Sequence, residues 1–182
     1  MRLIAPTARL HRSWLAARDD WGRGVHQPGS GLFRSDDVDS ADGFAAWVRR
    51  LLRASDPAVP PAPGWVHCTY WWLASGDEVL GSIALRHTLT GELLEAGGHI
   101  GYGVRPAARG RGLAALAVAA VLPYAAGLGL DRVLVTCDVG NDASRRTIER
   151  CGGTLEDIRD IPGRGPVRRY WIPARRPVIP RA

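Results

Sequence analysis

Residues 101–114 read GYGVRPAARGRGLA. The first part closes a strand, HIGYGV (99–104), that Gly101 and Gly103 weaken. Glycines inside a strand mark a bulge or a close backbone approach. Arg109, Gly110, Arg111 and Gly112 then alternate directly ahead of Leu113–Ala126, a run without one charged side chain. That run reads as a helix, apolar nearly all round, so it is expected to be buried on most sides or to meet another subunit. Pro123 is expected to kink or shorten it. The start of a helix gathers unpaired N–H groups at the positive end of its dipole. Glycines let those groups approach a ligand closely, so the junction reads as an anion site for phosphate or pyrophosphate. It is not a GxxxxGK[ST] loop. It is not a dinucleotide GxGxxG either, because Arg105 and Pro106 follow Gly101 and Gly103 with no helix until after Gly112.

Working outward, DRVLVTCDV (131–139) is an apolar, central strand. Asn141 or Asp142 caps a helix through Arg150 that ends at Gly152 and Gly153. TLEDI (154–158) and VRRYWI (167–172) form a closing strand pair around PGRGP (162–166). Upstream, VHCTYWWLA (66–74), the turn SGD (75–77) and EVLGSIALRHTL (78–89) read as an antiparallel hairpin, and TGELLEAGG (90–98) as a loop or short turn. Phe44, Trp47, Val48, Leu51 and Leu52 make one helical stripe. Asp39 or Ser40 caps its start, and Arg49, Arg50 and Arg53 suit its C-terminal end. The Pro-rich segment 55–64 ends it. WGRGVHQPGSG (21–31) is a loop, residues 13–21 a further helix, and Arg2 to Ala8 a short first strand. The alternation implies a mixed sheet with helices on both faces and a single domain over 1–182. Residues 1–64 form its N-terminal part, 65–172 the core and 173–182 a tail.

The chain has 182 residues and a net charge of +6, and all 24 of its basic residues are Arg. A chain rich in Ala, Gly, Pro and Arg reflects coding bias, so position rather than total charge carries any functional claim. Cys68, Cys137 and Cys151 are odd in number and have no metal-like spacing, which suits buried thiols in a reducing compartment and no metal site. The N-terminus lacks an apolar signal core. No stretch reaches the roughly 20 apolar residues of a membrane span. A cytoplasmic protein with no membrane partner is expected. A nucleic-acid footprint on RGRG and RRPVIPRA (175–182) is disfavoured, because basic clusters are usually solvated and no RNA-binding motif is present.

GYGVRPAARGRGLA resembles the signature of the GNAT superfamily of N-acetyltransferases: a strand, a V-x-P step, then [Q/R]-x-x-G-x-[G/A] opening a helix. Arg109, Gly112 and Ala114 stand at its fixed positions. CDVGNDASRRTIERCGG (137–153) is similar to the family's strand–Asn–helix block, with Asn141 at the Asn. The resemblance covers about Trp65 to Ile172. It implies an α/β (α+β) fold with a mixed, largely antiparallel sheet of six to seven strands, flanked by helices on both faces. It implies acetyl-CoA as donor and direct transfer to an amine of a small molecule or peptide. Backbone N–H groups of Arg109, Gly110, Arg111, Gly112, Leu113 and Ala114 would hold the pyrophosphate. The Val104 N–H would face the thioester oxygen, Asn141 would bind the pantetheine arm or order the site, and Ser144 and Arg145 would assist with CoA phosphates.

One departure concerns proton delivery. The family often carries a Tyr seven residues after the Asn, and here that position is Ile148. Tyr102, Tyr124 and Cys137 are the substitutes. A general base is sought among His87, Glu92, Glu95 and His99, which flank the strands leading to the signature. Strict alternation sets His99 and Val104 on opposite faces unless a bulge intervenes. Trp71 and Trp72 point to opposite faces, one into the core and the other toward an acceptor pocket. Ile148 also keeps open a second reading, an acyl-CoA-binding module that transfers nothing. The uncharged helix raises a possible homodimer.

Overall fold

A computed structural model describes residues 1–174, so RRPVIPRA lies outside the described residues. The chain forms β1 (Arg2–Ile4), a 3-10 turn, α1 (His11–Trp21), α2 (Ala41–Arg53), β2 (Cys68–Ser75) and β3 (Glu78–Arg86). A single π-type turn over Leu93–Gly97 leads to β4 (Ile100–Val104). Then come α3 (Leu113–Gly127), β5 (Arg132–Asp138), α4 (Asp142–Arg150), β6 (Thr154–Ile161) and β7 (Gly165–Pro173). Among the described residues no helix is long and apolar enough to cross a membrane.

The seven strands fall into two sheets, ordered β1-β2-β3-β4 and β5-β7-β6. Every ladder is antiparallel, in keeping with the expected largely antiparallel sheet of six to seven strands, which is split here into two halves. The halves meet where β4 begins. His99 donates its N–H to Leu134 O at 2.7 Å, and the Leu134 N–H donates to His99 Nδ1 at 2.8 Å. No ladder continues beyond that point, and β4 and β5 diverge.

Each face of the four-stranded sheet has its own apolar layer. On one side α1 and α2 bury Trp14, Phe44, Trp47 and Leu51 against Trp72 and Val79. Trp47 and Trp72 stack at 5.9 Å, and Trp14 meets Trp47 at 4.7 Å. The apolar stripe of α2 explains this placement, with the Ser40 hydroxyl capping its start by accepting the Gly43 N–H. On the other side α3 packs Leu113, Ala117, Val118, Val121 and Ala125 over Ile83, Leu85, Val133 and Ile172. Leu116 and Tyr124 stay exposed, so α3 is not buried all round. Pro123 does not end it, and the helix runs on to Gly127.

Gly101 and Gly103 belong to a close approach rather than a bulge, since the β3–β4 register is unbroken. The loop Pro28–Gly29 lies directly on β4: a Cβ on Gly29 would meet Gly101 O at 2.3 Å, and one on Gly103 would meet Pro28 O at 3.0 Å. The N-terminal part is thereby pressed against the strand that carries the signature.

Candidate active site

The signature loop is held from below and open above. Asp20, near the end of α1, accepts from Arg105 Nε at 3.0 Å and from the Ala107 N–H at 3.0 Å. These bonds hold the Asp20 carboxyl below its usual range, with the Ala107 contact the larger cause. Arg109 stacks over Trp21 at 4.5 Å and donates from Nε to Val104 O at 3.1 Å. Its side chain is therefore spent on the scaffold. Arg109, Gly110, Arg111 and Gly112 are exposed, Ala114 is half-buried and Leu113 is buried. Gly110 and Gly112 have φ of 75° and 72°, the left-handed region that favours glycine. A Cβ on either would meet nothing within 4 Å, so the space beside the backbone is open. Gly112 starts α3 with no side-chain cap, leaving the first-turn N–H groups unpaired. Open space, exposed backbone and the positive end of an uncapped helix fit a pyrophosphate.

At the end of β4 the register decides which backbone groups are free. Arg105 donates to Leu80 O, and Arg86 donates to His99 O. Odd-numbered positions of this stretch are therefore the hydrogen-bonded pairs with β3. Alternation in an antiparallel ladder turns the N–H and C=O of Tyr102 and Val104 the other way, into the gap toward β5. The Arg109 bond to Val104 O agrees with that direction.

The gap opens into a cavity of about 1000 Å³. Tyr102, Cys137, Asn141 and Ser144 line its inner end, and the loop 109–114 is not among its walls. Asn141 caps α4: its Oδ1 accepts the Ser144 N–H at 3.0 Å. This cap sets Ser144 on the first turn, where its Oγ shares a hydrogen bond of 2.8 Å with the Tyr102 hydroxyl. Burial pushes the Tyr102 phenol up to about 12, against the Ser144 hydrogen bond that lowers it, so it stays protonated at neutral pH. Burial raises the Cys137 thiol as well, which leaves it a poor nucleophile.

The other sequence candidates separate. His99 is 5% exposed, and its Nδ1 lone pair is taken by the Leu134 N–H. Burial, helped by Arg86, pushes its imidazole down to about 4. It lies just before β4 and outside the cavity walls, so it joins the two half-sheets and is corrected from base to structural link. His87 also lies outside them; its Nε2 bonds Thr69 Oγ1 at 2.8 Å, and burial lowers its pKa. Glu95 pairs with Arg159. Arg145 pairs with Asp142 at 3.1 Å and Glu149 at 2.9 Å, along the helix surface. Glu92 is exposed and does line the cavity. Ile148 is 0% exposed and belongs to the core. Tyr124 meets Trp71 edge-on at 5.0 Å on the α3 side, away from the cavity. Trp72 is core, so neither tryptophan of that pair lines an acceptor pocket.

Sequence reading missed the cavity's outer wall. Gly29, Phe33 and Arg34 come from the N-terminal loop, and Trp65 and Tyr70 from the start of the hairpin. The only signal for them was Gly101 and Gly103, whose missing side chains reserve room for the 28–29 backbone.

Comparison with known proteins places these features. The family model described as an acetyltransferase (GNAT) domain matches residues 33–154. No curated protein matches the chain by sequence. Among solved structures, RimJ of Mycobacterium smegmatis, in complex with CoA-disulfide, is similar with a TM-score of 0.69 and 19% identity. The match covers 94% of this chain and 81% of that one. The microcin C7 self-immunity acetyltransferase MccE, in complex with acetyl-CoA and AMP, has a TM-score of 0.67 and 14% identity, covering 94% and 91%. A mutant of the spermidine N-acetyltransferase SpeG from Vibrio cholerae has 0.61 and 16%, covering 96% and 95%. At these identities the likeness is one of fold.

Proposed function

This chain belongs to the GNAT acetyltransferase family, and from that premise we propose that it moves an acetyl group from acetyl-CoA directly to an amine in the 1000 Å³ cavity. The observation that carries the reading is the splay itself. Tyr102 of β4 lines the cavity beside Ser144, and the same strand leads through Val104 to the uncapped start of α3. Acetyl-CoA supplies an activated thioester when bound.

The protein's own groups divide the remaining work. The N–H groups of 109–114 hold the pyrophosphate. The Val104 N–H donates to the thioester oxygen as charge develops there, a fixed donor that needs no reorganisation. Ser144, hydrogen-bonded to a protonated Tyr102, hands its proton to the departing sulfur as it takes the phenol proton, and water in the open cavity returns a proton to Tyr102. This pair does the work that Ile148 does not do on α4. Glu92 is the cavity carboxylate outside any ion pair among the described residues, since Asp138 bonds Arg164 Nε at 2.9 Å. It takes the proton of the incoming ammonium, directly or through water. Asn141 orders the site by capping α4.

The buried Ile148 favours a second reading, a module that binds acyl-CoA without transfer. Thiol release from acetyl-CoA, followed over a panel of amines, decides between them. Release with at least one amine supports transfer. Tight acetyl-CoA binding with release from none supports the module.

A further inference from the structure

The acceptor cavity does not end at its aromatic wall. Phe33 and Trp65 meet edge to face at 5.0 Å and line both this cavity and a second hollow of about 530 Å³. The second hollow lies between the C-terminal half of α2 and the Pro-rich segment around 59–62. Its walls are mostly apolar. They carry three arginines, Arg49, Arg50 and Arg53, and no carboxylate.

The three arginines have different duties. Arg50 lies over the Phe33 ring at 4.1 Å and donates to Gly31 O at 3.0 Å. With its ion pair to Asp36 it fixes the dividing ring in place. Arg49 and Arg53 are exposed and enter no ion pair among the described residues. They stand one helical turn apart and rim the same hollow. The dipole of α2 favours cations at its C-terminal end. It does not explain why two of them border an apolar hollow that opens onto the acceptor cavity and holds no acid.

We propose that this hollow is a specificity subsite for an anionic group, carboxylate or phosphate, on the acceptor. The amine sits at the Tyr102–Ser144 end. The body of the acceptor runs along Phe33 and Trp65, and its anionic end reaches Arg49 and Arg53. A polyamine would bring cations to where the hollow already holds them, and is rejected. The proposal rests on amine acetylation in the larger cavity, and it adds the class of amine.

Calorimetry on the full chain saturated with CoA tests it. The probes are peptides with a free amino terminus and an amidated C-terminus, namely Ser-Phe-Glu-Glu, its counterpart without an anionic group Ser-Phe-Gln-Gln, and Ser-Phe-Gln-phosphoserine, together with spermidine. At least one anionic peptide should bind about tenfold or more tighter than the neutral one, the weight of one charge-assisted contact. The preference should weaken with salt. It should vanish in the double variant Arg49→Glu/Arg53→Glu, whose acetyl-CoA affinity stays unchanged. Whichever anionic peptide binds tighter identifies carboxylate or phosphate as the natural group. Equal affinity for anionic and neutral peptides, tighter binding of spermidine, or a preference that survives the charge reversal overturns the proposal alone. A wild-type chain that fails to bind acetyl-CoA overturns the transfer reading, and this subsite with it.

Discussion

Single residues would decide how protons move in the proposed site, and two of them take roles other than those that sequence alone suggests. His99 has the residue type of a base, but its lone pair holds the Leu134 N–H and its ring is buried. Its folded pKa is about 4, against about 6.5 for an unfolded histidine. Between those values the unfolded chain binds the proton more strongly, so stability falls as pH drops from about 6.5 to about 4 and then levels. The full loss is on the order of 3 kcal/mol. Denaturant titrations across that window should show the slope in the wild type and a flatter one in His99→Gln, whose amide oxygen can accept the same N–H. Equal slopes would mean that His99 is not the source of the pH dependence. Ser144, by contrast, has the proposed role of delivering a proton to the departing thiolate. Ser144→Ala should lower kcat by about 10², the low end for general acid catalysis because a thiolate leaves readily. KM for acetyl-CoA should stay unchanged, as steady-state kinetics will show; a raised KM with full kcat would mark Ser144 as a CoA contact instead.

At the scale of elements, β4 is proposed to work through its backbone. Val104 faces Gly81 in a pair without ladder hydrogen bonds, so its N–H supports no sheet contact. Val104→Pro removes that N–H and little else, because proline is tolerated where a strand donor is unpaired. The expected outcome is a kcat lower by about 10² to 10³, the cost of one oxyanion donor. Acetyl-CoA should still bind in a titration; a kcat within twofold of wild type would take Val104 out of the chemistry. Elements were also where the sequence was most readable. Period-2 and period-3.6 patterns located the hairpin, β5 and α2, and the glycine-arginine step located the start of α3. The division into two sheets was not readable, because it depends on where pairing between β4 and β5 stops, which tertiary packing sets, while the one histidine contact that joins the halves links distant segments. The outer cavity wall was hidden for a related reason. Phe33 and Trp65 lie in segments without periodicity, and tertiary packing alone brings them together. The hydroxyl pair was half legible: Tyr102 and Ser144 were both singled out, but their contact crosses from β4 to α4.

The whole molecule joins two halves around one gap. The N-terminal helices buttress the signature loop through Asp20 and Trp21, and the loop at Pro28–Gly29 closes over β4 to build the cavity. The C-terminal sheet brings Asn141 and Ser144 to the far side. The proposed donor and acceptor sites are thus built by different parts of the chain and share the splayed strands. The central claim is that the backbone around Gly112 holds the donor's pyrophosphate. Titration calorimetry of acetyl-CoA into the wild type and into Gly112→Asp tests it most directly. Asp tolerates the left-handed conformation better than most residues, and a Cβ at this position meets nothing within 4 Å, so the variant should fold. It places a negative charge where the pyrophosphate would sit. The account predicts one site per chain in the wild type and an affinity at least about 100-fold weaker in the folded variant, a loss of roughly 2.7 kcal/mol. An unchanged affinity in folded Gly112→Asp would contradict it.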